Sequence, residues 1–552
     1  MYCMQETKLL KVLLIFSSIF PILASIVFSQ TGKSFAKGNL ITFDNNGFWC
    51  WFQDERAIID TAKNKLIVGA VQSGGNIHAT VYDLVSKKGV TSTIGKESYD
   101  DHAAPGFCIL PNGNYLAMFC DHYDRYNTHY SIYDGKAWSN AKNFDYNKIP
   151  GGTNYTIAYN NVYYLSSEGR VYDFSRANER APNFIYSMDT GKTFQWGGQL
   201  TTDPSNSYNK GYYKYWSNHI DRIDFCFTEQ HPRDYTTSIY HGYIKDGKSY
   251  STEGACADSN IFDKKNLPTS KNFTKVFAHG ANVNGVSMGR CWQSDLMRYP
   301  DGVIAIIFQA RADNSQNDHR YFYARNNGKE WKWAYLGKGG GPLYSSEQDY
   351  IGLGALCPND QNTIFLSTPF DPSSGSSVGK HEIFKGVTTD SGATWKWEAI
   401  TKNSSVDNLR PIVPEWDSKH FALLWCRGTY SMAQNFNTQI VGFIDTNTAG
   451  EIVASKPGSD EKAVTRGPDL ICSSIVRHGL TIRYSLTENS FVNIRFYAAL
   501  GKEAAVLVSK EMPAGTYNVK VDARNLTAGI YFCKINANGL SKIMKIRLLK
   551  NF

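Results

Sequence analysis

Ionisable side chains gather beside aromatic residues in four parts of the sequence. These parts are residues 47–56, residues 100–105 with 119–122, residues 158–161 with 171–176, and residues 211–215 with 228–233. Histidine and tyrosine can each gain or lose a proton in a partly desolvated site. Arginine carries a lasting charge on a planar fork that matches a carboxylate. Together these residue types suit proton transfer next to a bound carboxylate.

Each of these residues, taken singly, also has a structural explanation. His102 follows two aspartates, and a histidine in such a turn often serves only as a hydrogen-bonded structural residue. Trp51, Phe52 and Arg56 are explained by closing a ring of repeated units and packing the first of them. The functional interpretation rests on the set, because an ordered series of such residues in consecutive structural units can converge on one site.

A repeated turn motif sets the framework for these residues. Residues 187–194 and 388–395 share the pattern S/T-x-D-x-G-x-T-aromatic. In this pattern the aspartate hydrogen-bonds local backbone, the glycine takes a conformation that other residues resist, and the aromatic ring packs under a sheet. We interpret the aspartates as turn residues and not as catalytic acids. Degenerate copies lie at residues 133–138, 246–250 and 327–331.

Composition favours an all-β fold. Aromatic residues make up 14% of the chain, and short aromatic runs alternate with Gly, Asn and Asp, while long stretches at helical spacing are missing. The turn motif resembles the Asp-box, or BNR, repeat of sialidases and related β-propellers. A four-stranded unit of about 40–50 residues is the size of a propeller blade.

Seven such units fit the chain before residue 448. They lie near residues 56–98, 102–148, 155–200, 210–255, 286–338, 345–400 and 408–447. We therefore predict a seven-bladed β-propeller over residues 38–447, in which residues 38–55 supply a closing strand. Six or eight blades remain alternatives.

The N-terminus has the features of an export signal. Lys8 and Lys11 precede an apolar run from Val12 to Phe28, and small polar residues follow it. This order predicts a secretory signal peptide over residues 1–30. Serines and a proline interrupt the run, which argues against the alternative of a membrane anchor. We expect a secreted or cell-surface protein, exported through the periplasm, whose mature form has no membrane span.

The sequence changes character near residue 448. Residues 448–470 are rich in Gly, Ser, Pro, Lys and Asp and predict a linker. Residues 471–552 predict a small C-terminal β-sandwich with the motifs Ala514-Gly515-Thr516-Tyr517 and Gly529-Ile530-Tyr531-Phe532 and a basic tail. This unit resembles the C-terminal sorting domain of the type IX secretion system of Bacteroidetes, which implies the secretion machinery as a partner. A carbohydrate-binding sandwich is the alternative.

The four ionisable parts resemble one group of propellers over residues 40–445. The shared motifs read WFQDxR, DDHxxP with a later DH, and EQHPR followed by SIYH. They are similar to secreted bacterial polysaccharide lyases with a seven-bladed propeller, of which ulvan lyases are the best known. The resemblance implies cleavage of a uronic-acid-containing, sulfated, ulvan-like polysaccharide by β-elimination.

The resemblance also implies roles for particular residues. His102 and Tyr159 correspond to the acid/base pair, Arg176 to the group that neutralises the carboxylate, and His122 to an orienting or assisting residue. Tyr212 corresponds to a subsite residue, with Tyr215 and Arg180 as further substrate-binding candidates. Three alternatives stay open, namely Tyr164 in place of Tyr159, Arg180 in place of Arg176, and Tyr213 or Tyr215 in place of Tyr212.

Two other functions compete with the lyase. A sialidase-like glycoside hydrolase would share the turn motif, but it needs an arginine cluster and an early Arg-Ile-Pro motif that the sequence does not supply. A non-catalytic glycan-binding propeller would keep the aromatic residues without needing the histidine pair or Arg176. Only a lyase leaves an unsaturated uronate, which absorbs in the ultraviolet.

The sequence predicts few partners beyond the polysaccharide. The net charge of +8 is compatible with an anionic substrate, and no part of the sequence resembles a nucleic-acid-binding module. The chemistry requires no cofactor. The cysteines are widely spaced and form no CxxC pair, so no metal site is expected. A structural metal held by His231 with Cys256 or Cys291 is a weak candidate. We expect a monomer.

Overall fold

The computed structural model forms two compact units, Met1–Ser455 and Lys456–Phe552. In the first unit it describes residues 35–36, 40–54, 56–120, 122, 126–150, 157–202, 210–417 and 420–445. In the second it describes residues 469–472, 475–476, 480–486, 489–498, 503–513, 515–521, 529–537 and 540–548. The expected signal peptide lies outside these residues. The expected linker, residues 448–470, also lies outside them except for Asp469 and Leu470, which begin the strand Asp469–Cys472 instead.

Seven antiparallel sheets follow one another in the first unit and form the predicted seven-bladed β-propeller. Blade 1 contains Ala57–Asp60, Lys65–Val71, Asn76–Asp83 and Lys88–Lys96. Blade 2 contains Gly106–Ile109, Tyr115–Cys120, Asn127–Tyr133 and Lys142–Asp145. Blade 3 contains Ala158–Leu165, Arg170–Ala177, Ala181–Ser187 and Gln195–Gln199.

The remaining blades are larger or carry extra strands. Blade 4 contains Tyr213–Ser217, Arg222–Phe227, Ile239–Lys245, Lys248–Ser251, Cys256–Asp258 and Thr274–Phe277. Blade 5 contains Ala281–Val283, Val286–Arg298, Ile304–Ala312, His319–Asn326 and Trp331–Gly340. Blade 6 contains Gly354–Leu356, Thr363–Phe370, Ser377–Val387 and Lys396–Ala399. Blade 7 contains Asp407–Ile412, Phe421–Met432, Asn435–Asp445 and the N-terminal strand Ile41–Asp44. A short pair joins Phe35–Ala36 to Thr401–Lys402.

The N-terminal strand closes the ring. Ile41–Asp44 pairs antiparallel with Asn435–Asp445, so the outermost strand of blade 7 comes from the start of the propeller. Thr438 Oγ1 donates to the carbonyl of Gly47 at 2.7 Å just beyond this pairing. This pairing joins the beginning and the end of the propeller sequence. The closing strand lies within residues 38–55, as predicted.

Strands that lie inside a blade are buried on both faces. Ile304–Ala312, in the middle of blade 5, is buried at every position, and its sequence IAIIFQARA lacks the apolar–polar alternation of a half-exposed strand. Aromatic rings fill the spaces between neighbouring sheets, as where Phe174 of blade 3 stacks on Tyr215 of blade 4 at 4.4 Å between centroids. This packing explains the high aromatic content of the sequence.

The two repeated motifs form matching turns between the third and fourth strands of blades 3 and 6. In the second turn, Asp390 accepts from the backbone N–H of Thr394 at 2.9 Å and from its hydroxyl at 2.6 Å. These hydrogen bonds lower the pKa of Asp390 to about 2. Asp189 makes the same two contacts with Thr193. The aspartates therefore hold turns at the outer side of the blades.

The second unit consists of two packed sheets, as predicted for the C-terminal sandwich. One sheet contains Asp469–Cys472, Leu480–Leu486 and Gly515–Val521. The other contains Ile475–Val476, Leu540–Leu548, Gly529–Ala537, Ser490–Ala498 and Glu503–Met512. Apolar side chains such as Ile494, Phe496 and Ile535 form its own buried core.

Helical structure in the described residues is limited to single 3-10 turns at Asp101–Ala103, Tyr146–Lys148 and Ser270–Asn272. None of these is long and apolar enough to cross a membrane.

Gly392 provides a test of the turn geometry. Its φ is +94°, and a Cβ atom built there would lie 2.4 Å from Cε1 of the buried Tyr323. We expect Gly392→Ala to destabilise the propeller by about 1 kcal/mol for the strained backbone and about 1–3 kcal/mol more for the clash. Gly328→Ala is the matched control, because Gly328 has a φ of +88° and no atom within 4 Å of the added Cβ. Equal losses in urea unfolding for the two variants would contradict the packing.

Candidate functional site

The candidate residues meet at one mouth of the propeller channel. In antiparallel blades the start of the first strand and the end of the second strand lie on the same face. Four of the candidates occupy such positions in blades 2 and 3. They are His102 before Gly106–Ile109, His122 after Tyr115–Cys120, Tyr159 near the start of Ala158–Leu165, and Arg176 near the end of Arg170–Ala177. Tyr212 directly precedes the first strand of blade 4.

The two histidines form a stacked pair that shares one carboxylate. Their ring centroids lie 4.1 Å apart, with an interplanar angle of 8°. Nδ1 of His102 lies 2.5 Å from Oδ1 of Asp100, and Nδ1 of His122 lies 3.3 Å from Oδ2 of the same residue. Asp101 Oδ1 lies 2.7 Å from Nδ1 of His102 as well. The sequence motif Asp-Asp-His thus places two carboxylates against one imidazole.

The surroundings of the two histidine rings shift their pKa values in opposite directions. Burial alone would lower the pKa of His102, but neighbouring acidic groups outweigh it and hold the pKa well above its usual value. Those groups are Cys50, Tyr159, Asp100 and Asp101. Burial and the adjacent His102 lower the pKa of His122. The pair therefore holds one charged ring and one neutral ring near neutral pH.

Tyr159 reaches the histidines because its strand is irregular. Its φ is +66°, and the pairing of its strand with the next one shifts register between Ala158 and Asn161. Such a bulge re-aims a side chain that a regular strand would direct elsewhere. The ring centroid of Tyr159 lies 5.0 Å from that of His102. Burial, followed by Cys50, raises the pKa of Tyr159 well above its usual value, so its hydroxyl keeps its proton.

Arg176 has hydrogen-bonding capacity that the described residues leave unused. Its guanidinium carbon lies 5.0 Å from the centroid of the Tyr212 ring. Among the described residues, its buried Nε and Nη2 have no hydrogen-bond partner. Buried donors are nearly always satisfied, so an exception at a cleft indicates a group that a ligand completes. A carboxylate matches the spacing and charge of this fork.

His231 fixes the orientation of Tyr212. Nδ1 of His231 accepts the backbone N–H of Arg233 at 3.2 Å, so the proton of the neutral ring lies on Nε2. Nε2 lies 3.2 Å from the hydroxyl oxygen of Tyr212 and therefore donates to it. Burial, with help from Arg176 and two further arginines, lowers the pKa of His231 well below its usual value.

This arrangement does not fit the candidate metal site at His231. Both ring nitrogens already have protein partners, and Cys256 is exposed while Cys291 is buried. Among the described residues, two groups of side chains are close enough to hold a metal ion, and His231 belongs to neither. They are Cys50 with Asp101 and His102, and Asp100 with His102 and His122.

The residues that the sequence left as alternatives for the same role lie at different places in the propeller. Tyr164 lies at the far end of the same strand as Tyr159 and lines a cavity at the other side of the channel. The Tyr215 ring is buried and stacks on Phe174. Arg180 lies in the turn after Arg170–Ala177 with a φ of +55°, close enough to His231 to lower its pKa. The structure thus brings Tyr159, Arg176 and Tyr212 to the histidine pair.

A buried segment, residues 48–54, forms the floor of the site. Phe52 stacks on Trp292 at 3.6 Å between centroids, and Trp51 stacks on Tyr350 at 4.7 Å. Gln53 Nε2 donates to the carbonyl of His102 at 2.7 Å, which holds the histidine turn in place. The sequence had suggested ring closure and first-blade packing for Trp51 and Phe52, whereas here they lie beneath the site.

Sequence reasoning selected residues 47–56 and 100–105 but assigned no role in the site to Cys50, Gln53 or Asp100. It did not place Trp292, Tyr350 or Tyr430 in the site at all. Cys50 Sγ lies 3.9 Å from the Tyr159 hydroxyl, and Tyr430 donates to Asp101 at 2.7 Å. One signal was available, because residues 48–52 are five consecutive apolar residues outside any strand, which is unusual for a connecting loop.

Comparison with known proteins supports the fold and identifies the second unit. No curated protein matches the sequence. Residues 476–548 match the family described as a secretion system C-terminal sorting domain. This confirms the sorting-domain interpretation of the C-terminal unit, which directs export by type IX secretion to the cell surface or outside the cell and implies contact with that machinery.

Two solved structures share the propeller fold. One is described as an ulvan lyase of polysaccharide lyase family PL25 bound to -[GlcA(1-4)Rha3S]-, with a TM-score of 0.52 and 13% identity. The match covers 73% of this chain and 95% of that chain. A second structure of a PL25 ulvan lyase has a TM-score of 0.50 with the same identity and coverage. At this identity, the likeness describes the fold of the propeller alone.

Proposed function

We propose that the propeller is a polysaccharide lyase that cleaves a uronic-acid-containing, sulfated, ulvan-like polysaccharide by β-elimination. One observation carries this proposal. Arg176 offers buried donors that have no partner among the described residues, beside two histidines of opposite charge preference and a protonated tyrosine. A site with this content can hold a carboxylate and move protons on either side of it. The propellers of similar fold described as ulvan lyases are in keeping with this chemistry.

The reaction begins with the carboxylate at C5 of the uronate. The Arg176 fork binds its two oxygens and draws negative charge toward them, which makes the C5 proton more acidic. A base then removes that proton, a double bond forms between C4 and C5, and the bond between C4 and the glycosidic oxygen breaks. An acid gives a proton to the departing oxygen. The products are an unsaturated uronate and a new chain end.

The protonation states favour particular residues for the two transfers. His122 is neutral, and a ring that donates from Nδ1 to Asp100 keeps a lone pair on Nε2 for the C5 proton. Tyr159 keeps its proton and serves as the acid for the leaving oxygen. His102 remains charged against two carboxylates and stabilises the negative charge that develops nearby. The family resemblance instead gives His102 the proton-transfer role, and the pH dependence separates the two assignments.

The assignment predicts a bell-shaped pH profile of kcat/KM. Activity rises with pH through the lowered pKa of His122, because the base must be neutral. Activity falls again where His102 loses its proton, above its usual pKa. Asp100→Asn removes a carboxylate from His102, so the alkaline limb moves to lower pH. An alkaline limb that stays in place in this variant would contradict the role of a charged His102.

Substitution of Tyr159 and Arg176 tests the lyase directly. Tyr159→Phe removes only the acidic proton and is expected to cost about 10²–10⁴ in rate while polymer binding persists. Arg176→Ala is expected to cost more than Arg176→Lys, because lysine keeps the charge but loses the fork. The readout is absorbance at about 232–235 nm, the region in which the unsaturated product absorbs.

Tyr164→Phe is the matched control for the tyrosine, since it alters the same strand at the other end of the channel. Near-normal rates in Tyr159→Phe and Arg176→Ala would contradict the proposal. Release of reducing ends without the ultraviolet signal would favour a sialidase-like hydrolase, and binding without turnover would favour a glycan-binding propeller.

A further inference from the structure

A second cavity opens on the propeller face opposite the histidines. Its volume is about 580 Å³, which falls within the roughly 300–1,000 Å³ typical of small-molecule sites. The innermost strands of blades 1 to 5 line it toward their C-terminal ends, where Tyr164, Ser217 and Met297 lie. The site described above lies at the other ends of these strands. Asp54, the last residue of the buried segment 48–54, and Arg56, just beyond it, form part of the cavity's floor.

Aromatic and acidic side chains surround the opening. Trp216 and Trp416 are half-buried, while Glu415 and Asp417 are exposed beside them. The Nε1 atom of Trp216 donates to Glu415 Oε1 at 2.6 Å, which fixes the indole and the carboxylate together. Trp416 stacks on His420 at 4.8 Å between centroids. The opening therefore presents rigid apolar rings next to hydrogen-bond acceptors.

The floor presents a buried ammonium, that of Lys214, whose donors the described residues use only in part. The Lys214 side chain is only 3% exposed, and Nζ donates to the carbonyl of Gln53 at 3.0 Å. The carboxylates of Asp54 and Asp295 each lie 3.7 Å from Nζ, beyond a good hydrogen bond. An ammonium carries three donors, so the described residues leave part of this capacity for a molecule in the cavity.

We propose that this cavity binds a short neutral saccharide of one or two pyranose units. Sugar hydroxyls both donate and accept, which suits the Lys214 donors and the acceptors of Glu415 and Asp417. The C–H face of a pyranose carries slight positive charge and packs against the negative face of an indole ring, here Trp216 or Trp416. The inference does not depend on the proposed lyase activity, because neither the histidine pair nor Tyr159, Arg176 or Tyr212 is among the residues that line this cavity, although segment 48–54 borders both sites.

The charged side chains that line the cavity favour a neutral ligand over an ionic one. Carboxylates outnumber cations in the lining, where Asp54, Asp295, Glu415 and Asp417 face Arg56 and Lys214. A uronate or sulfate group would meet the acidic opening and be repelled. A cationic ligand would pass the opening but meet Lys214 and Arg56 at the floor. A hydroxyl-rich neutral ligand avoids both penalties.

The test is direct binding of small sugars to the full chain. Lactose, maltose and cellobiose, with glucuronate as the anionic probe and choline as the cationic probe, are titrated by isothermal calorimetry and saturation-transfer NMR. At least one neutral disaccharide is expected to bind, and Trp416→Ala or Glu415→Gln is expected to weaken it about tenfold. Trp333→Ala is the matched control, because Trp333 is 41% exposed on an outer strand of blade 5.

Arg176→Ala separates this cavity from the other mouth, and binding of the neutral sugar is expected to persist in it. Unchanged melting temperatures in the Trp416 and Glu415 variants show that they fold. The proposal is overturned if none of the neutral disaccharides binds, if only glucuronate or choline binds, or if Arg176→Ala rather than Trp416→Ala abolishes binding.

Discussion

Hydrogen bonding of the buried segment 48–54 is the constraint on which the propeller's two mouths depend. The segment lies at the channel axis without a continuous sheet partner, so its backbone carbonyls need donors from elsewhere. Arg410 of blade 7 donates to the carbonyls of Cys50 and Gln53, and Lys214 of blade 4 donates to that of Gln53. Cationic side chains from opposite parts of the ring thus hold one loop across the axis and divide the channel in two.

This division links the fold to the chemistry. On one side, the side-chain amide of Gln53 donates to the carbonyl of His102. This hydrogen bond fixes the His102 turn relative to segment 48–54. Asp100 then spans both histidines and stabilises the charged form of one of them. On the other side, Asp54 and Lys214 face a separate cavity. The same buried polar groups that satisfy the loop therefore define the floors of both mouths.

The repeat made much of the fold predictable. Turn motifs, alternating strands and unit length located seven blades, the closing strand and the C-terminal sandwich, because these features follow from local periodicity. The resemblance to propeller lyases singled out His102, His122 and Arg176 as residues of one site. It could not choose between Tyr159 and Tyr164, since the choice depends on a bulge with a left-handed residue that no alternation pattern reveals. Nor could it assign roles to Gln53 or Asp100, because those roles depend on contacts between distant blades or on exact side-chain direction.

The source of the oxygen at the new chain ends tests the central claim most directly. Elimination breaks the bond between C4 and the glycosidic oxygen and adds no water to the products, whereas hydrolysis adds one water molecule. Digestion of ulvan in water labelled with oxygen-18, followed by mass spectrometry of the oligosaccharides, separates the two outcomes. The account predicts unsaturated products that gain no oxygen-18 through cleavage. One labelled oxygen per cleaved bond, in products that lack the double bond, would contradict it.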